Sequence, residues 1–148
     1  MEKIASFTVD HTKLEKGLYV SRIDGDVVTY DLRTRVPNRE DVMSNGAIHT
    51  VEHLAATYLR NSEYRDSIIY FGPMGCRTGF YFLCRGMNDE QVLALLKECF
   101  DFVAVYEGDI PGVSAVECGN WRDHDLDGAK AEAANYRKVL ETVTSTAY

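Results

Sequence analysis

The sequence has little that would staple, stretch or embed it. Its 3 prolines and 11 glycines gather into no linker, and no internal repeat or low-complexity tract interrupts it. Residues 1–148 therefore read as one domain. The four cysteines, Cys76, Cys84, Cys99 and Cys118, contain no CxxC pair, which argues against a disulfide framework and for thiols in a reducing compartment. No apolar run reaches the roughly 18 residues of a membrane span. The opening segment Met1–Ser6 lacks the apolar stretch of a secretory leader, so a cytoplasmic address and no membrane contact are expected. Positive charge is also scarce: 16 Lys and Arg face 23 Asp and Glu, for a net charge of −7. With no clustered basic footprint, a nucleic-acid partner held through phosphates is not expected.

What is present is an ordinary globular balance, 45% apolar and 26% charged. A chain of this length buries roughly two-thirds of its unfolded surface, enough for an unstapled core. Leu18, Val20 and Ile23 lead to Asp24-Gly25, and Val27, Val28, Tyr30 and Leu32 lead away, which predicts a hairpin over 17–35 ended by Pro37-Asn38. Ile48, Val51, Ala55 and Tyr58 recur at helical spacing over 47–59, with Ser44 or Asn45 as cap. Short β runs follow at 67–71 and 78–85. Val92, Leu95, Leu96, Cys99 and Val103 form a second helical stripe, opened by an Asn88/Gln91 capping box and closed toward Gly108. A last helix is predicted from Leu126 to Glu141, with Ala133, Tyr136 and Leu140 inward. Hairpin-paired strands with interspersed helices imply an α+β domain with a mostly antiparallel sheet.

The chemistry concentrates in His49-Thr50-Val51-Glu52-His53. Residues four apart are neighbours on one helix face, so His49 and His53 can converge on one metal ion. Glu52 lies about 60° around the helix from His49, on the same side. Two neutral nitrogen ligands beside a free carboxylate suit a metal-assisted reaction; the plainer reading is two polar histidines on an amphipathic helix. A third ligand must come from Cys118, His124, His11 or a carboxylate, and Cys118 in Glu117-Cys118-Gly119 has backbone room to approach an ion. His124, between two aspartates, reads as a helix-entry residue. The Asp123/Asp125/Asp127 cluster lacks the spacing of a calcium loop.

Cys76, in Pro73-Met74-Gly75-Cys76-Arg77-Thr78-Gly79, reads as a loop thiol beside the cation of Arg77, a setting that favours thiolate chemistry. Cys84 and Cys99 fall within strand and helix patterns and read as packing. Taken alone, His11 reads as a satisfied surface residue and Arg33 as part of a solvated strand face. Trp121 and the nine tyrosines suit a core or an interface.

HTVEH, PMGCRTGFY and ECGNWRDHDLDGAK, preceded by SFTVDH and YDLR, occur in that order from Ser6 to about Lys130. The set resembles the S-ribosylhomocysteine lyase (LuxS) family. HxxEH alone is shared with metallopeptidases; its combination with PMGCRTG and the later Cys-Gly is specific. The resemblance implies a LuxS-like two-layer sandwich and a homodimer whose active sites are shared between chains. It also implies metal-dependent cleavage of the thioether of S-ribosyl-L-homocysteine. Carbonyl migration through enediolates and then β-elimination would yield L-homocysteine and 4,5-dihydroxy-2,3-pentanedione, the autoinducer-2 precursor. The residues it assigns are His49, His53 and Cys118 as ligands, with water or substrate oxygen in fourth place. Glu52 and Cys76 become the acid–base pair, and Ser6, His11 and Arg33 the substrate contacts. The implied cofactor is one divalent ion per subunit, usually Fe(II), with zinc or cobalt also found. Tyr70 stands where the family usually has Asp, and Gly72 where Ser is common, so a polar substrate contact from that strand is lost. The rival readings are a small HxxEH metallopeptidase, which gives Cys76 no task, and a non-catalytic metal-binding module.

Overall fold

Alternation of apolar and polar residues sets the sheet. A computed structural model describes residues 1–148, with β1 at Gly17–Asp24, β2 at Val27–Arg33, β3 at Ile68–Pro73 and β4 at Gly79–Arg85. All pairings are antiparallel, in the order β1-β2-β4-β3. The β1–β2 turn is Gly25-Asp26, one residue later than the sequence pattern placed it, because Asp24 still pairs with Val27. Gly25 has φ +61 and Asp26 is not left-handed, which suits a turn needing positive φ only at its first central residue.

Successive strand residues point to opposite faces. Leu18, Tyr30, Leu32, Phe80, Phe82 and Cys84 are buried on the face that meets the helices. The register sets Leu32 opposite Phe80 and Tyr30 opposite Phe82, so large side chains interlock across the central strands. Tyr19, Asp31, Arg33 and Tyr81 alternate with them and take the outer face.

Three helices cover the inner face: α1 at Asn45–Arg60, α2 at Asp89–Ala104 and α3 at Leu126–Glu141. Each begins with a side-chain cap, from Ser44, Asn88 and Asp125, and the Asn88/Gln91 capping box is reciprocal. Each cap contributes about 1 kcal/mol by satisfying an otherwise orphaned N–H. α2 stops at Ala104 rather than running toward Gly108. Val51, Leu54, Leu96 and Tyr136 meet in one continuous core with the sheet. Cys84 and Cys99 are fully buried within it, and burial pushes the Cys84 thiol up to about 11. Trp121, in contrast, is exposed, with the Arg122 guanidinium 5.0 Å from its ring, and belongs to no core. No helix is long and apolar enough to cross a membrane.

Candidate metal centre

α1 carries the helical half of the site. His49 and His53, one turn apart, have ring centroids 4.6 Å apart and planes at 88°. Each ring is pinned from behind by a backbone carbonyl: Asp123 O is 2.8 Å from His49 Nδ1, and Pro111 O is 2.8 Å from His53 Nδ1. A carbonyl only accepts, so both Nδ1 atoms carry the proton and both Nε2 atoms keep a lone pair. This is the second-shell arrangement by which histidine ligands are oriented. The carbonyl at 111 comes this close because Gly112 has φ +74 and no side chain; a Cβ there would lie 3.2 Å from His53 Nδ1.

The loop before α3 supplies the rest. Cys118 Sγ lies 3.4 Å from His49 Nε2, and the N–H of Asn120 donates to that sulfur. The possible ligand atoms of His49, His53, Cys118 and His124 all fall within 4.8 Å of one another. Imidazole nitrogens with a single thiolate suit a borderline divalent ion such as zinc or iron, so the donor set fits one. Glu52 flanks the cluster, with Oε2 3.7 Å from His53 Nε2.

His124 is the residue whose place the sequence pattern misjudged. It does stand at the entry to α3, but its ring also stacks on His49 at 3.9 Å and 25°. Thr50 Oγ1 has three neighbours: Gly46 O, which accepts its proton, Asp125 N, which donates to it, and His124 Nδ1 at 3.0 Å. All three are satisfied when His124 Nδ1 donates, which leaves its buried Nε2 bare and without a partner. Burial first, then the neighbouring His49 and His53, hold the His124 pKa below its usual value and favour the neutral ring. A lone pair lies in the plane of its ring. The near-parallel His49 and His124 rings therefore do not aim at one point, whereas the perpendicular His49 and His53 rings can. The sequence offered His124, in Asp123-His124-Asp125, as one candidate third ligand among several, and nothing local gave its tertiary neighbour.

The Cys76 group forms a separate assembly. Cys76 is exposed in the β3–β4 loop, and its sulfur lies 3.0 Å from Thr78 Oγ1. Thr78 Oγ1 accepts from Arg33 NH1 at 2.9 Å. Arg33 also grips Asp31 through Nε (3.0 Å) and NH2 (2.6 Å), and the Tyr148 hydroxyl donates to the same carboxylate at 2.7 Å. Arg33 is thus no solvated face: it is 3% exposed, paired with Asp31 at 1%. Segment 146–148 covers them, with Val20 N donating to Thr146 O and the Tyr148 ring stacked on Tyr19 at 4.8 Å. Burial first, then the Asp31 carboxylate, push the Tyr148 phenol above its usual range. Arg77, expected beside the thiol, instead reaches Asn45 on α1 at 3.4 Å from a left-handed backbone, φ 59.

Of the expected substrate contacts, Ser6 lines a shallow recess with Thr29 and Tyr81, and the His11 ring engages Val9 O at 2.8 Å. No hydrogen bond or ion pair joins Cys76, Thr78, Arg33, Asp31 or Tyr148 to His49, Glu52, His53, Cys118 or His124, although the Cys76 loop reaches α1 through Arg77 and Asn45. The largest recess, about 680 Å³, lies elsewhere, beside Lys16, Glu40 and Arg35. The Lys16–Glu40 and Arg35–Glu132 pairs occupy most of its charges, and it holds none of these groups.

Residues 4–146 match the family model described as S-ribosylhomocysteinase (LuxS). The chain belongs to the LuxS family. Its LuxS relatives include proteins named S-ribosylhomocysteine lyase from Desulfotalea psychrophila, 52% identical, and Phocaeicola vulgatus, 50% identical; each alignment covers 97% of this chain and 94% of the relative. A third with that name, from Clostridium acetobutylicum, is 46% identical, covering 97% of this chain and 95% of its own. Within LuxS, HTVEH and PMGCRTG mark the two assemblies described above.

Proposed function

We propose that the chain is an S-ribosylhomocysteine lyase, a carbon–sulfur lyase that releases L-homocysteine and 4,5-dihydroxy-2,3-pentanedione without net redox change. Near-full-length identity to relatives of that name supports this, and the observation that carries it is the His49/His53/Cys118 cluster with Glu52 beside it. His49, His53 and Cys118 would hold one divalent ion, Fe(II) in the family's usual pattern, with zinc or cobalt as substitutes. The perpendicular histidines and the nearby thiolate favour that triad, and His124 backs His49. Bound there, such an ion supplies Lewis acidity that stabilises negative charge on a substrate oxygen.

The chain's own residues then move protons. Cys76 removes a proton from the carbon next to the sugar carbonyl and returns one to the neighbouring carbon, so the carbonyl migrates one position. Glu52 shifts protons between the oxygens of the enediolate. When the carbonyl reaches C3, loss of a C4 proton expels the sulfur from C5, and the thiolate leaves as homocysteine. Ser6, His11 and Arg33 are assigned to substrate contact. We place these roles in one domain spanning 1–148, in a cytoplasmic homodimer whose sites are shared. A second copy would complete each site, as the family resemblance implies.

Thiol release from S-ribosylhomocysteine, with bound metal measured in the same anaerobic sample, tests this reading. Cys118→Ala is expected to lose the metal. Cys76→Ala should keep it and lose about 10²–10⁴-fold in turnover, the range of a general acid–base group. A Cys76→Ala protein that releases homocysteine at the wild-type rate overturns the mechanism, and peptide turnover surviving that change favours a metallopeptidase.

A further inference from the structure

We propose that the Thr78 hydroxyl is a positioning group, held from behind by Arg33, that donates a hydrogen bond to the Cys76 thiolate. A guanidinium has only donors, so Arg33 NH1 takes one lone pair of Thr78 Oγ1 and leaves the hydroxyl proton free. Cys76 Sγ lies 3.0 Å away, and a thiolate has no proton to give, so toward the charged sulfur the hydroxyl is the donor. Behind it, Tyr148 O–H and Arg33 N–H both donate to Asp31, so the carboxylate takes three hydrogen bonds and the two-pronged pair holds the guanidinium in place. Thr78 itself is 5% exposed, which keeps water from competing for the bond to sulfur.

A hydrogen bond to the charged form of a group favours that form, and here a neutral hydroxyl offers that bond to an exposed loop sulfur. The groups facing Cys76 are consistent with this. Arg33 of β2 and Tyr81 of β4 lie near it, with Asp31 and Tyr148 behind Arg33, and the one cation of its own loop, Arg77, is turned to Asn45. No hydrogen bond joins the Arg33 guanidinium to the sulfur; the Thr78 hydroxyl bonds to both.

This inference rests on Cys76 being the base, but its test does not. The pH dependence of iodoacetamide alkylation, read at the Cys76 peptide by mass spectrometry on metal-loaded protein, reports the thiolate directly. Thr78→Ser should keep the wild-type midpoint. Thr78→Val, which removes the hydroxyl and keeps the shape, should raise it by about one pH unit, the scale on which one hydrogen bond to a charged group shifts an ionisation. At neutral pH its kcat should fall about 10-fold with KM little changed, and recover as pH rises. If Thr78→Val does not fold, Thr78→Ala carries the same expectation. An unmoved midpoint in the hydroxyl-less variant overturns the proposal. A moved midpoint in Thr78→Val, together with full turnover by Cys76→Ala, would uphold the hydrogen bond while removing Cys76 as the base.

Discussion

The α1 corner and the outer face of the sheet are both polar regions sealed against an apolar core, and they are built in opposite ways. In the α1 corner two imidazoles come from one helix turn, and distant loops contribute the Cys118 sulfur, the His124 ring and the backbone carbonyls that pin the helix pair. Its open lone pairs await something from outside the chain. On the outer face every charged group already has its partner inside the chain. Asp31 accepts three hydrogen bonds from Arg33 and Tyr148, and Arg33 is spent on Asp31 and Thr78. The first region is poised to bind; the second is poised to hold a neighbour still. A buried charge pair contributes little net stability, yet losing one partner is severe. Metal ligands without metal behave the other way, since removing one mainly removes affinity.

The contrast can be broken at graded points. Asp31→Ala leaves the Arg33 guanidinium buried and unpaired, so urea unfolding should show a loss of about 3–5 kcal/mol, with bound metal per folded chain unchanged. Thr50→Val keeps the shape but strips partners from Asp125 N and His124 Nδ1. It should cost about 1–3 kcal/mol and weaken metal binding about 10-fold in competition with a chelator, the lower end for an outer-shell loss. An Asp31→Ala protein that unfolds like wild type, or a Thr50→Val protein with unchanged metal affinity, would erase the distinction. The mildest change is Lys16→Ala. Its partner Glu40 is a half-exposed surface group 3.1 Å away, and the same unfolding measurement should move by less than about 1 kcal/mol.

How much of this was legible in the sequence follows from range. The capping box at Asn88, the limits of α3 and the shared face of His49 and His53 are set within a turn or two, and each matched the structure. Cys84 and Cys99 were readable as packing because they sit in apolar stripes. Arg33 was misread as solvated because its strand neighbours cannot tell which distant segment covers the outer face, and Tyr148 lies 115 positions along the chain. His124 was one of several candidate third ligands and read mainly as a helix entry, because its stacking with His49 lies across the fold. Trp121 was read as a core or interface residue, and its loop holds it outside the core. The roles of individual residues in turnover came from the ordered motifs, because spacing alone leaves a metallopeptidase and a passive metal site open.

Tyr70 and Gly72 departed from the family pattern as two separate changes, but in space they are one. The Tyr70 phenol lies flat over Gly72, and any Cβ at position 72 would run into its ring. Gly72→Ser alone has to evict the tyrosine, while Tyr70→Asp alone leaves a bare strand. The two positions are therefore coupled: a side chain at 72 and the tyrosine ring in its present place exclude each other, so restoring a side chain at 72 requires the ring to be lifted first.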